Sequence, residues 1–208
     1  MIKRLFSCLM ILMVVLGLGC SCSKEPAVPQ NAIAPMALSQ EQAEIMSLLD
    51  TSNQSILIFE YKTKDEYNSA EFWVEVYEDG VLVDTPAKIS YYSDDEYQLD
   101  GKLAIVITNN NNYQWMLSAK ENDAVYSHIG ESSRVSDEIF ASGSSSGGFV
   151  VEIEDGKEIV LYTSMFSNGE IRTYSDQQRY VEEPELLKEY PYMHIIKCKF
   201  NKFITAGQ

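Results

Sequence analysis

The chain is expected to be mainly β. Residues 38–208 are read as one antiparallel β-sandwich, or a partly open barrel, with a short N-terminal helix and a second short helix near 183–190. Three observations carry this reading. Apolar and polar residues alternate with a period of two over much of the chain, the period that puts successive side chains on opposite faces of a strand. Turn pairs such as Asp79-Gly80 and Asp100-Gly101 interrupt the alternation at short spacing. No repeat of 20–50 residues suggests a solenoid.

The elements follow in order. Ser39 with Gln42 forms a capping box, Leu38 can staple onto the first turn, and Ala43, Ile45, Met46, Leu48 and Leu49 supply one apolar helical face. Residues 55–61 (SILIFEY) open the β series. In residues 71–78 (EFWVEVYE), Phe72, Val74 and Val76 alternate against Trp73, Glu75 and Tyr77, and Asp79-Gly80 turns the chain into 81–83. Residues 88–92, 103–108, 113–119 and 124–129 continue as strands, with Asp100-Gly101 and 109–112 as turn material. Residues 131–148 read as a long polar loop that contains a Ser/Gly run at 142–148. Residues 149–153 and 158–163 flank Glu154-Asp155-Gly156-Lys157 as a second expected hairpin. Residues 177–190 tolerate a helix interrupted by Pro184, and 192–200 (YMHIIKCKF) close the domain as a strand.

The N-terminus has a different character. Lys3-Arg4 precede a 14-residue run, 5–18, that is apolar or weakly polar and ends at Gly19-Cys20. A basic head followed by a short apolar stretch is a secretory signal, and 14 residues fall short of the roughly 20 that a spanning helix needs. With Leu18 and Gly19 before Cys20, this segment resembles the lipobox signal of bacterial lipoproteins. The resemblance covers residues 1–23 and implies cleavage before Cys20 and a diacylglyceryl (palmitate-type) anchor on its sulfur, with Cys22 the alternative acceptor. It further implies export, with the domain held on the extracytoplasmic side of a membrane; two acyl chains suffice for stable anchoring. The organisation expected is therefore a signal at 1–19, a lipidated, Pro-rich tether at 20–37 holding Pro26, Pro29 and Pro35, and the domain at 38–208.

Loss of Lys3 and Arg4 with the signal leaves 14 basic against 31 acidic residues, a net charge of −17. Such a surface repels phosphate backbones, so nucleic-acid binding is disfavoured. Of four cysteines, only Cys22 and Cys198 remain for thiol chemistry, and Cys198 is expected to be free and buried.

Candidate chemistry is sparse. Gly143-Ser144-Ser145-Ser146-Gly147 matches the G-x-S-x-G pattern, and His194 follows in the order of a serine hydrolase. That elbow requires a strand before the serine and a helix after it, whereas here a Ser/Gly run precedes a strand. His194 shares a strand face with Tyr192 and Ile196 and reads as a partly buried, hydrogen-bonded imidazole; His128 is isolated. Asp94, Asp95, Glu96 and Asp100 cluster around an expected turn and could take Ca²⁺ weakly, without the EF-hand spacing. Trp73 and Tyr77 on one strand face, with Tyr91, Tyr92 and Tyr97 near the acids, could present aromatic area to a peptide, glycan or envelope protein. No cofactor is implied. The function expected is a non-catalytic binding domain displayed on the envelope, with a small serine hydrolase using Ser145 and His194, or an envelope spacer, as alternatives.

Overall fold

A computed structural model describes residues 28–49, 53–109, 112–132, 141–146 and 150–202. The expected signal, Cys20 and Cys22 lie outside the described residues. Two antiparallel sheets pack face to face as a β-sandwich. The strands are β1 (Ala32–Pro35), β2 (Gln54–Lys62), β3 (Tyr67–Glu78), β4 (Val81–Asp84), β5 (Lys88–Tyr97), β6 (Asp100–Asn109), β7 (Tyr113–Glu121), β8 (Ala124–Ser132), β9 (Ala141–Ser146), β10 (Val151–Glu152), β11 (Glu158–Ser167) and β12 (Tyr192–Asn201). The helices are α1 (Gln40–Leu49), α2 (Arg179–Glu182) and a 3-10 turn at Pro184–Glu189. Among the described residues, no helix is long and apolar enough to cross a membrane.

The first sheet runs β10-β1-β2-β6-β7-β8, and the second β4-β3-β12-β11-β9, with β5 also on β3. Alternation decides the layers. Phe72, Val74 and Val76 of β3, Leu103, Ile105 and Ile107 of β6, and Trp115 and Leu117 of β7 meet in the main core between the sheets. The opposite face of the second sheet is covered as well: Tyr77, Val160, Met165, Met193 and Ile195 pack under Tyr180, Leu186, Leu187 and Tyr190. The central strands of this sheet are therefore buried on both faces, and β11 and β12 are buried along nearly their whole length.

Several local expectations hold. Asp79 and Gly80 both have positive φ, 49° and 78°, which a two-residue turn matching strand twist requires. The capping box is formed: the Ser39 amide donates to Gln42 Oε1 at 2.9 Å, and the Gln42 amide to Ser39 Oγ at 3.3 Å. On α1, however, Ile45 and Leu48 are exposed, and Leu38, Ala43 and Met46 line an open groove with Ile56 of β2.

Four expectations are corrected. The reach read as tether ends in structure: Ala32–Pro35 pairs with both β2 and β10, because Ala32, Ile33 and Ala34 bury small and apolar side chains there. The hairpin expected around Gly156 is a crossover, since β10 pairs with β1 in the first sheet while β11 enters the second. Gly101 belongs to β6 and not to a turn; a Cβ there would press on Tyr61 Oη and lie 2.5 Å from the Lys120 carbonyl oxygen. Within the stretch 131–148 read as a loop, residues 141–146, which hold most of the Ser/Gly run at 142–148, form the edge strand β9, paired with β11 from Ser146↔Tyr162 to Ala141↔Ser167.

Candidate functional site: a polar cleft between the sheets

Strand β9 explains the site. Its inward positions, Ser142, Ser144 and Ser146, pair with Phe166, Ser164 and Tyr162, whose side chains face the first sheet. Stacked sheets stand about 10 Å apart, a gap that core side chains normally fill. Serine is too short to fill it, so these three serines stay exposed although they point inward. The result is a cleft of about 230 Å³. Asn53, Gln54, Ser55, Ile107, Asn109 and Tyr113 line it from the first sheet, and Ser142, Ser144, Tyr162, Ser164 and Phe166 from the second. None of these side chains is charged, in a chain of net charge −15. Amides and hydroxyls provide both donors and acceptors, while aromatic rings form the floor.

His194 stands directly behind that floor. It is fully buried, cross-strand from Ser164, and boxed edge-to-face by Tyr113 at 4.7 Å, Trp115 at 4.8 Å, Tyr192 at 5.1 Å and Phe166 at 5.3 Å between ring centroids. Neither imidazole nitrogen has a hydrogen-bond partner. Loss of hydration lowers its pKa from 6.5 to about 3, so the ring is neutral at ordinary pH. The expected strand face with Tyr192 and Ile196 is correct, but the partly buried, hydrogen-bonded imidazole is not.

The aromatic candidates go elsewhere. Trp73 and Tyr77 do share a face with Glu75, but that face is covered, and all three are buried. Trp73 Nε1 donates to Glu75 Oε1 at 2.8 Å, and Tyr77 Oη to Glu75 Oε2 at 2.6 Å. Lys197 Nζ lies 2.8 Å from Glu75 and 3.0 Å from Glu158. Burial raises the Glu75 pKa, but the hydrogen bonds from Lys197, Tyr77 and Trp73 outweigh it and leave the carboxyl below its usual range. Tyr91 is buried too, its hydroxyl donating to Tyr61 Oη at 3.2 Å while Tyr61 Oη donates to Glu121 at 2.9 Å. Burial pushes the Glu121 carboxyl up. Tyr97 is half-buried, and Tyr92, 69 % exposed, is the one ring of this set on the surface. An exposed patch built on Trp73 and Tyr91 does not exist.

The acidic candidates do not converge. Asp94, Asp95 and Glu96 lie within β5, where the register with β3 slips between Tyr67↔Tyr97 and Ser69↔Tyr92, and not around a turn. Asp94 and Asp95 are exposed, and Asp100 begins β6 in an ion pair with Lys62 at 2.7 Å. Among the described residues, no three His, Cys, Asp or Glu side chains are arranged to hold a metal ion. Ser145 and His194 are not brought together either. Ser145 pairs with Thr163 and His194 with Ser164, so they point to opposite faces with β11 between them. Cys198 is a free thiol in the main core, and burial pushes its pKa up.

The cleft residues Asn53, Gln54, Asn109, Tyr113 and Ser164 were not singled out by the sequence, and Ser142 and Ser144 were noticed only as part of the Ser/Gly run. One signal was present: a Ser run with period-two spacing beside apolar strands is compatible with an edge strand whose inner face is left unfilled.

No curated protein and no solved structure matches the chain. A match to a bacterial domain family runs from the first residue of β1 into β12, over residues 32–198, and the chain belongs to the YgaN domain family.

Proposed function

We propose that this protein is a non-catalytic binding module, held by a lipid on Cys20 at the extracytoplasmic side of a bacterial membrane, and that the cleft beneath β9 is its ligand site. The observation that carries the reading is the uncharged, hydrogen-bonding lining of that cleft. It suits recognition of a neutral polar group and, among the described residues, offers no acid–base pair within reach of a bound molecule. The lipobox resemblance of residues 1–23 supports the anchor, with Cys22 as the second acceptor. Ca²⁺ binding at the acids of β5 is secondary to this reading.

Two measurements test it. Membrane fractionation of the full chain is expected to place wild type with membranes and to release Cys20→Ala, or leave it uncleaved. Cys20→Ala that remains processed and membrane-bound sinks the Cys20 anchor. Immobilised domain is expected to retain soluble envelope fragments, and Ser144→Leu, which fills the cleft from an exposed position, to lose them. Retention that survives Ser144→Leu removes the cleft from the function.

A further inference from the structure

We propose that the cleft is a saccharide subsite that takes one uncharged pyranose ring, seated on the Tyr113 and Phe166 rings that pack against the unpartnered His194 imidazole. The inference rests on the binding reading above and names its ligand class.

Charge is the first argument. A carboxylate or phosphate ligand needs a cationic partner, and an amine needs an anionic one; among the described residues the lining has neither. The acidic surface further disfavours anions at long range. Neutral ligands remain. Shape narrows them: about 230 Å³ lies below the roughly 300–1,000 Å³ of drug-sized pockets, enough for one ring and not for a chain. Chemistry narrows them again. The rings of Tyr113 and Phe166 supply an apolar floor, whereas Asn53, Gln54, Asn109 and Ser144 supply amide and hydroxyl groups around it. A pyranose has that pair of properties, an apolar C–H face and a rim of hydroxyls that each donate and accept.

His194 is the independent observation. A buried polar group without a partner is rare and calls for a reason. This one is fully buried directly behind the two rings of the cleft floor, so a ligand seated on that floor changes its surroundings without touching it. Ser164, its cross-strand neighbour about 5 Å away along the ladder, opens into the cleft on the same sheet face. The floor rings that touch His194 are also cleft-lining rings.

NMR titration of labelled domain tests this, read at the His194 imidazole and at the indole of Trp115, which packs on both His194 and Tyr113. The probes are neutral methyl pyranosides of glucose, galactose and N-acetylglucosamine, their charged counterparts methyl glucuronide and glucosamine, and an uncharged acetylated tetrapeptide amide. A neutral pyranoside is expected to give saturable shifts at both residues with a Kd of about 1 mM, what roughly a dozen heavy atoms supply. Ser144→Leu is expected to weaken it at least about tenfold with the fold intact. Preference for a charged sugar or for the peptide overturns the saccharide class and leaves the binding module standing. Shifts that spare both His194 and Trp115 overturn the seating on that floor, and no response to any probe overturns the saccharide class while the binding module is judged by retention of envelope fragments.

Discussion

Ser145 and His194 face opposite sides of the second sheet, because they pair with adjacent residues of β11, Thr163 and Ser164. A general base must come within hydrogen-bond reach of its nucleophile, or one water of it. Two strand spacings of about 4.8 Å and a sheet between the side chains prevent this. Ser145→Ala is therefore expected to leave any hydrolysis of a nitrophenyl ester unchanged. A loss of more than tenfold with the fold intact would restore the hydrolase.

His194 makes stability depend on acid. Burial lowers its pKa from 6.5 to about 3, so the unfolded chain takes up the proton first as pH falls. Its stabilisation is complete above about pH 6.5 and is lost progressively toward pH 3, at most on the order of 5 kcal/mol. His194→Phe removes that proton uptake and an unsatisfied buried group. It is expected to be more stable than wild type by about 1–3 kcal/mol at pH 7 and by more at pH 4.5. Urea midpoints at the two pH values check this; a constant difference between the proteins refutes it.

The Glu75–Lys197 pair is expected to behave as a buried ion pair. Lys197→Met leaves the Glu75 carboxylate with only Trp73 and Tyr77 as donors, at a cost of about 3–5 kcal/mol. The double variant Glu75→Gln, Lys197→Met should recover much of that cost. Its own loss equalling the sum of the single losses would show that the pair is not coupled.

Cys198 should be silent toward thiol reagents. It is fully buried and its thiol is pushed up by burial, so reaction waits on opening of the core. In a domain beginning at residue 28, Cys198 is the single cysteine, and its rate with an aromatic disulfide is expected to rise by roughly 10³-fold or more on adding denaturant. Fast labelling without denaturant contradicts the packing.

Gly101→Ala is expected to cost about 2–4 kcal/mol. The new methyl meets the Tyr61 hydroxyl that donates to Glu121 and cannot escape the Lys120 carbonyl across the ladder. Thermal unfolding checks it, and a neutral result would mean that β6 and β7 separate easily here.

Much of the local architecture was legible in the sequence, and the site was not. The alternation at 71–78 assigned Phe72 and Trp73 to opposite faces, Asp79-Gly80 specified its turn, and Ser39 with Gln42 specified the start of α1. These are decisions among residues a few positions apart, where period and turn geometry act directly. Only the tertiary structure decided that both faces of the second sheet are covered, which buries Trp73 and Tyr77. Only it decided that residues 151–152 join β1 instead of folding back on β11, and that a run of serines pairs with β11 as an edge strand. Each depends on a partner distant in the chain, and polar or small residues do not announce one. The cleft follows from that last pairing, because it exists only where short side chains stand opposite a second sheet.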